Sequence, residues 1–159
     1  MSRSGSSWPI TALVTKIGIL SGSLRFPPHK APGSGAQALI GYDIDLTAPD
    51  GSARVILDVE ARHMNRVETL HGGIHAMMLD AAAGFAASRQ LADGGPQIVP
   101  VVTLSLTTSF VQSAQLGKVV ATGRVMGGGY KIVHAEAEIH DAEGRLCSKA
   151  TGVFKRAAK

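Results

Sequence analysis

Asn65-Arg66-Val67-Glu68-Thr69-Leu70-His71-Gly72-Gly73, followed after six residues by Asp80, is the stretch around which this chain is organised. From Gly72 to about Arg89 the chain is rich in Ala and Met, and Asp80 and Arg89 are its only charged residues. That pattern predicts a helix, and a helix apolar nearly all round is expected to be enclosed by other structure. His71 then sits at the helix entry, with two glycines that let the chain turn tightly. The N–H groups of a first helical turn have no partner within the helix, and the helix dipole adds partial positive charge there. Such an end suits a carbonyl oxygen that is acquiring negative charge. An isolated His-Gly-Gly would more often serve only as a turn. Asp80 shifts that balance, because an unpaired carboxylate in apolar surroundings costs on the order of several kcal/mol.

Strands flank the helix on both sides. Ala53, Val55, Leu57 and Val59 alternate with Arg54, Ile56, Asp58 and Glu60, which predicts a half-buried strand. Tyr42 to Leu46 reads as its hairpin partner across Ala48-Pro49-Asp50-Gly51. After the helix, Gln97 to Val111 sets Ile98, Val102, Leu104, Leu106 and Phe110 against Thr103, Ser105, Thr107 and Ser109. Lys118 to Met126 comes next, turning at Gly127-Gly128-Gly129. In Tyr130 to His140 the residues Val133, Ala135, Ala137 and Ile139 point one way, and a final strand ends near Phe154. Long strands joined by short turns are antiparallel neighbours. One helix and one antiparallel sheet make a two-layer α+β domain.

A chain of 159 residues fits one domain, and with 45% hydrophobic and 18% charged residues it is globular rather than disordered. Aromatics are only 4%, so the core falls to aliphatic residues, Ala and Met. The single cysteine, Cys147, excludes an intrachain disulfide and suits a reducing cytosol. Residues 1–40 are punctuated by Ser, Gly and Pro and read as an extension or loosely packed arm before a domain at 41–159. No stretch approaches the roughly 18 apolar residues of a membrane span, and the Trp8–Leu20 segment is broken by Lys16. A cytoplasmic protein without membrane contact is expected. The net charge of +4 favours anionic partners, yet no basic block with interleaved aromatics suggests nucleic acid. A phosphate-bearing small molecule fits better, and Lys131, Arg124, Lys155 and Arg156 are candidates to meet its phosphates.

Other chemistries have weaker support. Gly33, Gly35 and Ala38 match a dinucleotide fingerprint, but a proline-rich loop precedes them instead of a strand. No G-x-S-x-G serine elbow occurs. His71 and His75 have a metal-friendly spacing without an evident third ligand, so no metal is expected and His75 reads as a satisfied polar residue. Cys147 reads as a small core or edge residue.

The Asn, His-Gly-Gly and acid combination resembles the hotdog-fold acyl-CoA thioesterases of the phenylacetate-pathway and 4-hydroxybenzoyl-CoA types. Asn65, His71, Gly72, Gly73 and Asp80 match with spacing intact, and the likeness runs from about Tyr42 to Phe154. The resemblance implies a sheet wrapped round the central helix, a homodimer or dimer of dimers, and hydrolysis of an acyl- or aroyl-CoA without a cofactor beyond the CoA of the substrate. It implies that the Gly72 N–H polarises the thioester carbonyl and that Asp80 is nucleophile or general base. His71 and Asn65 would shape the site, and Thr103 falls where related enzymes place a hydroxyl beside the acid. Gly73, Glu68 and Met77 would border the substrate, Met77 as core packing or as an adaptable pocket wall. Glu68 stands where the family usually has glycine, so the local turn differs or an extra carboxylate lies near His71. Two alternatives remain: a non-catalytic acyl-CoA-binding module, and a hotdog hydratase or dehydratase.

Helix geometry adds one expectation. Nine residues separate His71 from Asp80, about 13.5 Å along the axis and on opposite sides of the helix. One thioester cannot reach both within one chain, whereas two chains about a two-fold axis can share two sites.

Overall fold

A computed structural model describes residues 33–93, 95 and 97–158. A short helix α1 (Gly35–Ile40) leads to strands β1 (Asp43–Asp45) and β2 (Ala53–Val59). The long helix α2 (Gly72–Leu91) comes after them, then β3 (Val101–Phe110), β4 (Gly117–Gly128), β5 (Ile132–His140) and β6 (Leu146–Arg156). The strands form one antiparallel sheet in the order β1-β2-β4-β5-β6-β3, with α2 packed across it. This is the expected α+β hotdog architecture.

The inward residues of β2 and β5 are those that the alternation selected: Ala53, Val55, Leu57 and Val59, then Val133, Ala135, Ala137 and Ile139. Against them α2 lays Met78, Leu79, Ala82, Ala83, Ala86 and Ala87, all 1% exposed or less. Short side chains on both layers bring helix and sheet close. They come very close at Gly123 of β4, where a Cβ would overlap the backbone carbonyl of Ala82. Phe154 is one of the few bulky fillers and is fully buried. Burial of a side chain of that size stabilises the fold by roughly 1.5–3 kcal/mol.

Arg156 near the end of β6 holds the C-terminal turn of α2. Its Nη2 donates to the Leu91 carbonyl over 2.9 Å, its Nε donates to the Tyr130 carbonyl, and its guanidinium stacks on the Tyr130 ring at 4.2 Å. This cation near a helix C-terminus complements the dipole. Of the four basic residues considered for phosphates, Arg156 is thus engaged within the fold.

Two expectations change. The strand after the helix begins at Val101, and a bulge between Thr103 and Ser105 shifts its register against β6. The simple alternation therefore fails there: Val102 and Leu104 are 48% and 55% exposed, while Thr103 faces α2. A bulge adds a residue to one strand and reverses which side the following side chains take. Second, α2 is not enclosed all round. One sheet covers one face only, so Met77, Asp80, Ala81, Gly84 and Phe85 remain half-buried. Of the segment 1–40 read as an extension or arm, residues 1–32 lie outside the described residues, while residues 33–40 hold α1, capped by the Ser34 hydroxyl. Its last carbonyl, that of Ile40, pairs with Nε2 of the buried His63 at 2.9 Å. Among the described residues no helix is long and apolar enough to cross a membrane.

Candidate active site

The loop before α2 is built on Asn65. Its Oδ1 accepts from the N–H groups of Val67 and Thr69, and its Nδ2 donates to the Thr69 hydroxyl. The turn so formed puts Glu68 at φ 58°, the left-handed region. That explains why glycine suits this position: an L-residue with a Cβ pays on the order of 1–2 kcal/mol there. The turn keeps the glycine-like conformation, and the Glu68 side chain is exposed.

His71 is the N-cap of α2. Its Nδ1 accepts from the Gly73 N–H over 2.9 Å, and its carbonyl accepts from Ile74 and His75. A Cβ at Gly73 would come within 3.0 Å of that Nδ1, so the glycine makes room for the cap. Of the four N–H groups that begin the helix, the Gly72 N–H has no acceptor among the described residues. Gly72 lines a cavity of about 380 Å³ together with Asn65, Thr69, His75 and Phe110. An oriented N–H at a helix N-terminus is suited to stabilise an oxyanion.

Two and a half turns further along, Asp80 borders a second cavity of about 260 Å³ with Ala81, Gly84, Phe85, Val99 and Thr103. The Thr103 hydroxyl donates to Asp80 Oδ1 over 2.7 Å. The bulge after Thr103 is what lets β3 return to an apolar inward face beyond this contact. The phenol of Tyr42 is pushed above its ordinary pKa chiefly by burial, with the Asp80 charge also opposing its ionisation. Asp80 thus sits in a half-open apolar notch, with one oxygen held by a hydroxyl.

The expected residues therefore fall into two groups. Asn65, Gly72 and the capping His71 and Gly73 stand at the entry of α2, while Asp80 and Thr103 stand at its middle. Met77 is partly buried against the core and lines neither cavity. The metal-type spacing of His71 and His75 resolves into separate engagements, since His75 Nδ1 meets the Ser148 hydroxyl at 2.8 Å. Sequence reasoning does not reach that buried pair as part of a site. The only hint is His75 lying three residues after Gly72, on the same side of the helix. Cys147 is fully buried, and burial first of all raises its thiol pKa, which fits a core residue.

Comparison with known proteins gives consistent results. The family described as Thioesterase superfamily matches residues 68–148. A Thermoplasma volcanium protein named "Putative esterase TV1331" is 30% identical over 105 residues, covering 66% of this chain and 75% of that protein. The Bacillus halodurans protein BH2602, solved with CoA, superposes with TM-score 0.71 at 24% identity, covering 82% of this chain and 83% of that one. The E. coli PaaI protein from the phenylacetic acid degradation operon superposes with TM-score 0.67 at 22% identity, covering 79% and 86%. At these identities the two structural likenesses are likenesses of fold.

Proposed function

We infer the activity from one premise: the chain belongs to the thioesterase superfamily. We propose that it hydrolyses an acyl- or aroyl-CoA thioester to the free acid and CoA, with no metal or redox cofactor. The observation that carries this is the pair of half-sites on α2, an unpartnered Gly72 N–H in one open cavity and a hydroxyl-held Asp80 in the other. The Bacillus halodurans protein of the same fold was solved with CoA, which favours CoA as the carrier.

Asp80 acts in one of two ways. As general base it takes a proton from a water whose oxygen attacks the thioester carbon. As nucleophile its carboxylate attacks, and water then hydrolyses the anhydride. In both, negative charge grows on the carbonyl oxygen and the Gly72 N–H meets it. The C–S bond then breaks, and the CoA thiolate leaves and takes up a proton. Donation from Thr103 to Oδ1 fixes the carboxylate and leaves Oδ2 to act.

The two half-sites are too far apart along α2 to serve one thioester within a chain. We propose that two chains related by a two-fold axis bring the Gly72 end of one against Asp80 of the other, giving two shared sites. The exposed edge of β3, with Val102 and Leu104 uncovered, supports a partner on that side.

A thiol-release assay over a panel of short, long and aromatic acyl-CoAs tests the activity. Release of free thiol is the expected result. Absorbance loss from an enoyl-CoA without thiol would replace it by hydration, and binding without turnover would leave a carrier or sensor.

A further inference from the structure

His75 is 3% exposed, yet it stands in the wall of the cavity that Gly72 also lines. Its ring is held from two directions. Nδ1 lies 2.8 Å from the Ser148 hydroxyl, itself fully buried, and the Phe110 ring meets the imidazole edge-on at 5.9 Å. Nε2 has no protein partner among the described residues, and none of their side-chain nitrogens or oxygens is both buried and unpartnered. Nε2 is therefore the part of the ring that reaches the cavity.

The hydrogen-bond pattern also fixes its proton. His75 is the only side-chain partner of the Ser148 hydroxyl among the described residues. If Nδ1 carried the hydrogen, the hydroxyl would accept it and its own hydrogen would be left buried without an acceptor. If Ser148 donates to Nδ1, every group is satisfied and the ring hydrogen lies on Nε2. Burial lowers the His75 pKa, which keeps the ring neutral. Side chains on a helix lean toward its N-terminus, so the ring leans toward the end where the Gly72 N–H emerges.

We propose that the Nε2–H of His75 is a second hydrogen-bond donor to the thioester, acting beside the Gly72 N–H and held in place by Ser148. The proposal rests on the thioesterase reading and adds a residue to its machinery. The carbonyl oxygen gains charge as the tetrahedral intermediate forms, so a neutral donor already fixed in place acts more strongly there than in the ground state.

Two measurements on the full chain test it. The first is NMR of the protein with ¹⁵N-labelled histidine. The Nε2–H tautomer is expected at neutral pH for His75, mixing with the other tautomer in Ser148→Ala, and its signal should shift when butyryl-CoA is added. A Nδ1–H tautomer, or no shift with butyryl-CoA at saturation, would overturn the proposal whether or not the protein is a thioesterase. The second is kinetics on the best substrate of the thiol-release panel. His75→Phe combined with Ser148→Ala keeps the volume and removes the orphaned hydroxyl, so folding is preserved, and kcat should fall by about 10- to 100-fold with KM little changed. His75→Gln, whose amide N–H sits near the Nε2 position, should recover part of that loss. A folded double variant with wild-type kcat would sink the donor role and leave thioester hydrolysis standing. Absence of thiol release by the wild type would instead sink the hydrolysis reading, with the NMR shift deciding the donor alone.

Discussion

The Thr103 hydroxyl donates to Asp80 Oδ1 over 2.7 Å, joining the middle of the long helix to an edge strand of the sheet. The contact orders a carboxylate that is otherwise bordered by Ala81, Gly84, Phe85 and Val99. Asp80→Asn keeps the shape and can still accept from Thr103, but it can neither take a proton nor attack. On the proposed mechanism kcat falls by roughly two or more powers of ten while KM stays near its wild-type value. Thr103→Val should cost less, about tenfold, because the carboxylate remains. Steady-state kinetics and a thermal melt check this together. An Asn variant with near-normal turnover moves the chemistry elsewhere.

Glu68 gives a stability prediction that is independent of function. Its φ of 58° costs strain that glycine would not pay, while glycine adds freedom to the unfolded chain. The net of the two is a gain of about 0.5–1 kcal/mol for Glu68→Gly. The urea midpoint should rise with the slope unchanged. A fall in the midpoint would mean that the Glu68 side chain makes a stabilising contact in the folded protein.

Gly123→Ala should do the opposite. The added methyl meets the Ala82 carbonyl and the Ala83 nitrogen, which are backbone atoms in the middle of a helix and cannot swing aside. The helix would have to lift from the sheet, at a cost of at least about 3 kcal/mol, the upper end for overpacking. Denaturant unfolding of the purified variant, or its failure to accumulate, reads the effect. Gly127→Ala has open space around its Cβ and serves as the control.

Subunit mixing tests the shared site. His71→Ala and Asp80→Asn should each be inactive alone. In a mixed dimer one site carries both lesions and the other carries neither. Equal amounts exchanged at random should restore roughly a quarter of wild-type activity, since half the dimers are mixed and half their sites intact. Exchange is verified by native mass spectrometry. Mixed dimers without recovered activity would require a site assembled within one chain.

Much of this molecule is legible in the order of its residues. The buried faces of β2 and β5 come from simple alternation, and the helix comes from its Ala- and Met-rich run with His-Gly-Gly at its entry. The features that escape depend on three-dimensional detail that periodicity does not carry. The bulge after Thr103 inserts one residue and flips the face of the strand beyond it, so Leu104 reads as inward and is exposed. Arg156 reads as a candidate phosphate contact and instead caps a helix 65 residues away in sequence. The partnership of His75 with Ser148 spans 73 residues and no local pattern announces it. The placement of Thr103 beside Asp80 agrees with the resemblance, whereas spacing alone could not have given it.

The position of β3 has a consequence for how the chain is made. Among the described residues β3 pairs only with β6, and β6 is reached only after β4 and β5. The ribosome must therefore add the residues from 111 to 145 before the partner strand begins to emerge. At ordinary synthesis speeds that takes about 2–7 s. During this interval a Val-, Leu- and Phe-bearing strand waits without its ladder, and Thr103 has no scaffold to hold it against Asp80. Completion of the surroundings of Asp80 is then among the last events of folding, and a nascent chain stalled before Leu146 would be a client for chaperones rather than a finished fold.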